Sequence, residues 1–250
     1  MNAPIRVEAL KLSRSLVGVI GTLALVLGTV ALLCGITLSL AGGQPDLVAK
    51  MGPTATRDWA GLLSAAAQIT AAGGLIGFGT VLAWLFGREF ADRTISGLFA
   101  LPVGRARIAL AKIVVYLIWV VAVSLVLGLA LLLLGSLFGY GSPDAEAWAG
   151  LGRQWALGML TGAIAMPVAW VVTLTRSLLA GVGCVIGLVV VTQVAVLAGA
   201  GAAMPLAAPA LWAMSRGTEV GVAQLAVALI CAAAFVALTC ASWARLQLNR

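Results

Sequence analysis

Six long stretches without charge constrain this chain more than any other feature. Residues 15–45, 59–87, 113–143, 154–175, 177–215 and 220–244 contain no Asp, Glu, Lys or Arg. A helix needs about 20 apolar residues to cross the hydrocarbon core of a bilayer. The chain is 62% hydrophobic and 9% charged, whereas a soluble domain carries about 25% charged residues. These features predict an all-α integral membrane protein.

The charge-free runs predict six spans in a single transmembrane domain over residues 1–250. The run from 177 to 215 is too long for one helix, and it contains Pro205 and Pro209. We interpret residues 201–216 as a broken, re-entrant segment before the last span, which requires protein or water around its backbone. An ordinary apolar loop is the alternative. The predicted spans are residues 16–40, 60–86, 113–138, 154–175, 178–200 and 220–243.

Basic residues are unevenly divided between the two sides that six spans define. Lys and Arg on the side of both termini number eleven: Arg6, Lys11, Arg14, Arg88, Arg93, Arg105, Arg107, Lys112, Arg176, Arg245 and Arg250. The other side carries Lys50, Arg57, Arg153 and Arg216. The positive-inside rule therefore predicts a multi-pass protein of the cytoplasmic membrane with both termini in the cytoplasm. Because this topology accounts for the net charge of +7, no nucleic-acid partner is predicted.

The segment before the first span has the pattern of a helix on the membrane surface. Its basic residues lie away from one apolar face. That face consists of Ile5, Ala9, Leu12 and Leu16, and the basic residues are Arg6, Lys11 and Arg14. A disordered basic tail is the alternative.

The chain lacks the residues on which most catalytic sites depend. It has no His, which excludes histidine bases and metal ligands. Its four cysteines form no C-x-x-C pair, and no P-loop motif is present. We therefore predict no catalytic residue, metal site, cofactor or enzymatic activity on this chain. No charged residue lies near the middle of a predicted span, so transport energy is expected to come from outside the membrane domain.

Residues 87–112, GREFADRTISGLFALPVGRARIALAK, gather seven charged residues between two spans. We predict a short amphipathic helix over residues 88–100, followed by a turn, because Pro102 disfavours continued helix. Its mixed charges favour a protein partner over anionic lipid. The apolar positions of this helix are Phe90, Ile95, Leu98 and Phe99.

This loop resembles that of permease subunits of type-2 ATP-binding-cassette (ABC) exporters. The matching residues are Glu89, Thr94, Leu101, Pro102, Val103, Arg105 and Lys112. The resemblance implies that loop 87–112 carries a coupling helix that docks on a separate ATPase subunit. It also implies two ATPase copies that bind Mg–ATP, and a second permease copy or paralogue. The implied ATPase-coupling residues are Arg88, Glu89, Asp92, Arg93, Thr94, Pro102 and Arg105.

The charge-free spans favour a hydrophobic or amphipathic cargo of the drug or antimicrobial-peptide class, because they offer few partners for a charged solute. Two other functions remain open: a sodium-coupled or passive carrier or channel without an ATPase, and a membrane scaffold or sensor. Within the loop, Glu89 is expected to begin the short helix. There it either binds backbone N–H groups or pairs with a basic residue of the ATPase. A solvated surface carboxylate is the alternative.

Overall fold

The computed structural model is a bundle of long helices. It describes residues 2–42, 56–99 and 102–247. In these residues there is no strand, and six helical segments are long and apolar enough to cross a membrane. The predicted all-α membrane fold with six spans is thereby confirmed. The helices are α1 Asn2–Ser13, α2 Leu16–Ala41, α3 Trp59–Ala91, α4 Ile95–Phe99, α5 Arg105–Leu137, α6 Ala145–Ile164, α7 Met166–Thr175, α8 Leu178–Leu197, α9 Ala208–Met214 and α10 Val222–Arg245.

Polar side chains begin four of these helices. Ser15, Asp58, Asp144 and Ser177 each accept a hydrogen bond from the backbone N–H three residues further on. Such a cap satisfies one of the N–H groups that the first helical turn leaves unpaired. The fourth span is made of α6 and α7, which separate at Ala165, just before Pro167 at the start of α7.

The core lies where α5 packs against α6 and α10, and where α3 packs against α8. Two pairs of buried polar groups in this core join neighbouring helices, as an apolar surrounding favours. The Tyr116 hydroxyl donates to the Gly162 carbonyl at 3.0 Å. The Trp243 indole N–H donates to the Thr173 hydroxyl, also at 3.0 Å. These contacts join α5 to α6 and α10 to α7.

The bundle has two distinct ends. We call one the terminal end, because α1, α4, the start of α5 and the end of α10 meet there. Arg105 donates to the Leu246 carbonyl, and Arg176 donates to the Gln247 carbonyl at 2.9 Å. The opposite end carries Asp144 and Arg216. These residues lie at the two ends that the alternation of six spans predicts for them. The side of the membrane that each end faces stays a prediction. Lys50 and Arg250 lie outside the described residues.

Three helices extend beyond the ends predicted for their spans. The helix of the second span ends at Ala91 and not at residue 86, and the helix of the third begins at Arg105 and not at residue 113. The helix of the fourth begins at Ala145 and not at residue 154. The second and third helices continue through Glu89 and Lys112 because these residues are paired with each other and with charges on α1. The points at which these helices leave the membrane stay predictions.

The short helix predicted over residues 88–100 is divided in the structure. Helix α3 continues through Arg88 and Glu89, and only Ile95–Phe99 form a separate helix. Between them, Arg93 adopts a left-handed backbone with φ of 56°. Its N–H donates to the Phe90 carbonyl and the Thr94 N–H donates to the Glu89 carbonyl. This is the Schellman pattern of hydrogen bonds that ends a helix.

Helix α1 packs against the bundle through a face that only partly overlaps the apolar face predicted to lie on the membrane. Glu8 and Leu12 are buried and Ile5 is partly buried, whereas Ala9 and Leu16 are exposed. Leu12 packs with Val residues of α3 and α5. The face that α1 turns to the bundle therefore contains the carboxylate of Glu8, because Lys112 on α5 pairs with it. Contact of α1 with a membrane surface stays a prediction.

The segment before the last span is broken into short pieces. Helix α8 ends at Leu197, a 3₁₀ turn covers Gly201–Ala203, and α9 begins after Pro205, with Pro209 in its first turn. Pro209 is buried. Helix α9 packs on α3, α6 and α10, so protein covers its backbone. Whether this segment re-enters the membrane stays a prediction.

Candidate coupling site at the terminal end

Four charged side chains form a closed cluster at the terminal end. They are Glu8 on α1, Lys11 on α1, Glu89 in the last turn of α3, and Lys112 in the second turn of α5. We call this set the ion cluster. Glu8 and Glu89 are each 2% exposed and Lys112 is 0% exposed. Two carboxylates and two ammonium groups balance, so the cluster adds no net charge to the interior.

Each buried charge in the ion cluster has specific partners. Lys112 Nζ lies 2.8 Å from Glu8 Oε2 and 3.0 Å from Glu89 Oε1, and it donates to the Leu85 carbonyl at 3.1 Å. An ammonium group has three donors, so all three of Lys112 are used. Lys11 Nζ lies 2.9 Å from Glu8 Oε1 and 2.8 Å from Glu89 Oε1. Such complete pairing offsets the large cost of removing the charges from water.

Lys11 is the cluster's solvent-facing member, with a side chain that is 25% exposed. Partial burial lowers its pKa, but hydrogen bonds to the carboxylates of Glu89 and Glu8 outweigh burial. The pKa of Lys11 is consequently raised above its ordinary 10.5. Lys11 therefore carries its charge throughout the physiological pH range.

The ion cluster also holds the segment that follows α3. The Thr94 hydroxyl donates to Glu89 Oε2 at 2.6 Å. Thr94 lies directly before α4, so one buried carboxylate contacts α1, α5 and the turn that leads into α4. Glu89 thereby connects the residue before α4 to the second and third spans and to the N-terminal helix.

An exposed polar surface lies beside the ion cluster. Asp92, Arg93, Pro102 and Arg107 are exposed at the terminal end, and we call these four residues the coupling surface. Arg88 lies next to it: its guanidinium stacks 4.7 Å from the centre of the Trp84 ring, and its Nε lies 3.9 Å from Asp92 Oδ2. Charges of both signs at this surface suit a protein partner with complementary charges.

The residues predicted for ATPase coupling thus fall into two groups. Asp92, Arg93, Thr94 and Pro102 are exposed, and Arg88 is partly covered by Trp84. Glu89 and Arg105 instead contact the chain itself. The structure corrects the expectation that Glu89 begins a short surface helix: it lies in the last turn of α3, because Lys11 and Lys112 neutralise it there. The interpretation of Glu89 as a solvated carboxylate is contradicted by the same burial. Binding of these residues to an ATPase stays a prediction.

The sequence did not reveal that Glu8 and Lys11 belong to this site. Glu8 pairs with a lysine 104 positions away, and Lys11 with a glutamate 78 positions away. The only local signal is the Glu8–Lys11 spacing of three, which places both residues on neighbouring positions of a helix. The sequence identified Lys112 as a basic residue on the side of both termini and, by family resemblance, as a residue of the loop, but not as a buried charge.

A second polar feature lies at the opposite end. A cavity of about 540 Å³ opens there between α3, α6 and the end of α9, and we call it the vestibule. Burial raises the pKa of Asp58 at its rim, but hydrogen bonds from the Gly61 N–H and the Thr56 hydroxyl, with the charge of Arg216, bring that pKa below its ordinary 3.8. The charged residues that line the vestibule are Asp58, Asp144, Glu146, Arg153 and Arg216.

Nothing in the described part of the chain indicates a metal centre, because no three potential ligands among His, Cys, Asp and Glu are grouped there. The architecture instead defines a multi-pass membrane protein with an ion-paired loop between its second and third spans.

A comparison with protein families identifies the kind of membrane protein. A family model described as ABC-2 family transporter protein matches residues 4–195. The match covers the N-terminal helix, the ion cluster, the coupling surface and most of the first five spans. This chain belongs to the ABC-2 family of transporter proteins. No curated protein matches the chain.

Proposed function

We propose that this protein is the membrane-spanning subunit of an ABC exporter whose ATPase is a separate chain. In this function the terminal end faces the cytoplasm, and the coupling surface with α4 docks on the ATPase. Two ATPase copies with Mg–ATP act on a pair of permease chains, either two copies of this one or this one with a paralogue. A hydrophobic or amphipathic cargo, of the drug or antimicrobial-peptide class, crosses the cytoplasmic membrane outward.

The observation that carries the proposal is the contact of Glu89 with Lys11, Lys112 and Thr94. A transporter driven from outside its membrane domain needs a rigid connection between the docking surface and the spans. Buried ion pairs supply stiffness of this kind, because separating them exposes an uncompensated charge in an apolar surrounding. Movement of α4 would therefore be transmitted to α3 and α5 and not absorbed by a flexible loop.

The family membership supports the same function. ABC-2 permeases work with an ATPase subunit, and an energy source outside the membrane suits the six apolar spans of this chain. The choice of cargo rests on the spans themselves, which lack ionisable residues at their centres.

Reconstitution with a charge reversal at the coupling surface tests this proposal. The tagged chain is purified from its native membranes with any associated P-loop ATPase and placed in liposomes. Vanadate-sensitive ATP hydrolysis is then measured. Uptake of a fluorescent amphipathic peptide into the same liposomes is measured with ATP outside, which drives the molecules whose ATPase faces outward. Asp92→Lys is expected to lower both activities at least tenfold, because reversing a charge at a docking surface introduces repulsion.

Glu219→Lys is the matched control. Glu219 is likewise an exposed carboxylate but lies at the opposite end, after α9. It is expected to leave both activities near the wild-type values. Peptide uptake that needs no ATP and follows a sodium gradient would contradict the proposal and indicate the carrier alternative.

A further inference from the structure

Two buried polar atoms near the vestibule point to a site that coupling does not explain. Gln154 on α6 is 3% exposed, and its Nε2 donates to the Thr70 hydroxyl at 2.7 Å. Its Oε1 has no hydrogen-bond partner among the described residues. Ser124 on α5 is also 3% exposed, and its Oγ likewise has none in that part of the chain. Unpaired polar atoms are costly in an apolar surrounding and therefore require an explanation.

Both residues line the same small cavity. It measures about 10 Å³, which is close to the smallest volume that holds one water molecule, about 10–15 Å³. Gly158 is also in its wall, and a Cβ there would lie 2.2 Å from Ser124 Oγ. Gly158 therefore leaves room for the serine hydroxyl at this point.

Two irregular helical turns lie in the same region. Helix α2 contains a π-helical turn over Ala24–Gly28, and α3 contains one over Thr70–Gly74. Thr29, directly after the first turn, and Thr70 and Gly74 from the second, line the cavity. Such turns are frequent at functional sites, because they displace backbone and side chains from their regular positions. Four helices, α2, α3, α5 and α6, thus meet around one small cavity whose mostly apolar wall contains a few polar side chains.

Gln154 borders two spaces at once, because it lines both this cavity and the much larger vestibule. Gln154 is therefore the residue through which the vestibule and the wall that contains Ser124 adjoin.

We propose that the cavity between Gln154 and Ser124 binds one internal water molecule, which exchanges with the vestibule past Gln154. The water donates one hydrogen bond to Gln154 Oε1 and a second hydrogen bond joins it to Ser124 Oγ. A metal ion is disfavoured, because the lining contains no carboxylate, imidazole or thiolate. The site does not depend on the proposed ATPase, and its test uses the permease alone.

Radiolytic hydroxyl-radical labelling detects such a water directly, because the radicals arise from water beside the labelled ring. Phe78 lines the cavity and is 3% exposed, whereas Phe86 is 0% exposed and packs against Trp243 at the terminal end. In the purified full-length chain, oxidation of Phe78 is expected to exceed that of Phe86 several-fold. Equal, low oxidation of both rings would overturn the proposal.

Thermal unfolding of Ser124→Ala supplies the second measurement. If Ser124 binds a water, its loss leaves that water and Gln154 with fewer partners, and the melting temperature falls by roughly 2–4 °C. In a dry cavity the same change removes an unpaired hydroxyl, and the melting temperature stays constant or rises. Ser136→Ala is the control on the same helix, because Ser136 is exposed and bonds only its own helix at the Leu132 carbonyl. The proposal requires both results, and failure of either contradicts it.

Discussion

Lys112 and Glu89 form a buried ion pair, with 3.0 Å between Nζ and Oε1, across the loop that joins the second and third spans. Each residue lies near the end of its own helix, and neither is exposed by more than 2%. The pair closes the base of loop 87–112, so the coupling surface lies on a rigid support.

Loss of Lys112 should destabilise the protein strongly. Lys112→Met leaves Glu8 and Glu89 with only Lys11 as a counter-ion. Removing one partner of a buried ion pair typically costs about 3–5 kcal/mol. Denaturant unfolding in one detergent is the measurement. Arg107→Met, an exposed cation on the same helix, should change the free energy of unfolding by less than about 0.5 kcal/mol.

A second substitution should rescue much of this loss. In Lys112→Met with Glu89→Gln, the cluster keeps one carboxylate and one ammonium group and is again neutral. Residues in one ion-pair network show coupling energies of about 0.5–3 kcal/mol in double-mutant cycles. Additive effects of the two changes would contradict a shared cluster.

Stability at high pH should depend on Lys11. Its pKa is raised by folding, so its contribution is fully present below its unfolded-state pKa of 10.5 and is lost as the pH rises through the higher folded-state value. The melting temperature should therefore fall above about pH 10.5. Lys11→Arg should extend the stable range, because the arginine pKa is above about 12. Lys11→Met should remove this part of the pH dependence, and an unchanged profile in Lys11→Met would contradict the assignment.

Two substitutions of Arg93 should distinguish the effect of its backbone conformation on stability from the effect of its side chain on ATPase binding. Its backbone φ of 56° favours glycine, and a left-handed conformation costs other residues about 1–2 kcal/mol. The free energy of unfolding of Arg93→Gly is therefore expected to be about 1 kcal/mol higher than that of Arg93→Ala. Both variants lose the guanidinium of the coupling surface, so both should bind the ATPase more weakly in co-purification. If Arg93→Gly binds the ATPase at least as tightly as the wild type, the arginine side chain does not contribute to docking.

Single cysteines should report the side of the membrane at each end. Cys34, Cys184, Cys231 and Cys240 are first replaced, and Arg107→Cys or Glu219→Cys is introduced at an exposed position. An impermeant maleimide should label Glu219→Cys in intact cells and Arg107→Cys only after permeabilisation. The reverse result would invert the proposed orientation.

The number and class of the spans were predictable because uncharged runs of suitable length are a direct requirement of the bilayer. The helix ends were not, because a charge was taken to mark the edge of the membrane. Lys112 shows why this assumption fails. Its side chain is 0% exposed although it lies near the start of α5, because two carboxylates and a carbonyl are its partners.

The ion cluster itself could not be predicted from one sequence. Glu8 and Lys112 are separated by 104 positions, and local patterns report only neighbours on one helix. The turn at Arg93 was also missed, since turn signals rest mainly on glycine and proline. Loop 87–112 was nevertheless identified correctly as the most charged internal segment, and its charges proved to divide into a buried and an exposed group.

The most direct test of the account is photo-crosslinking from the coupling surface. A benzophenone amino acid replaces Asp92, or Glu219 at the opposite end as the control, and cells are irradiated before purification of the tagged chain. We expect position 92 to crosslink a protein that contains a P-loop motif, with ADP–vanadate changing the yield, and position 219 to give no such product. An ATPase crosslinked from position 219, or none from position 92 in cells that transport the cargo, would contradict the account.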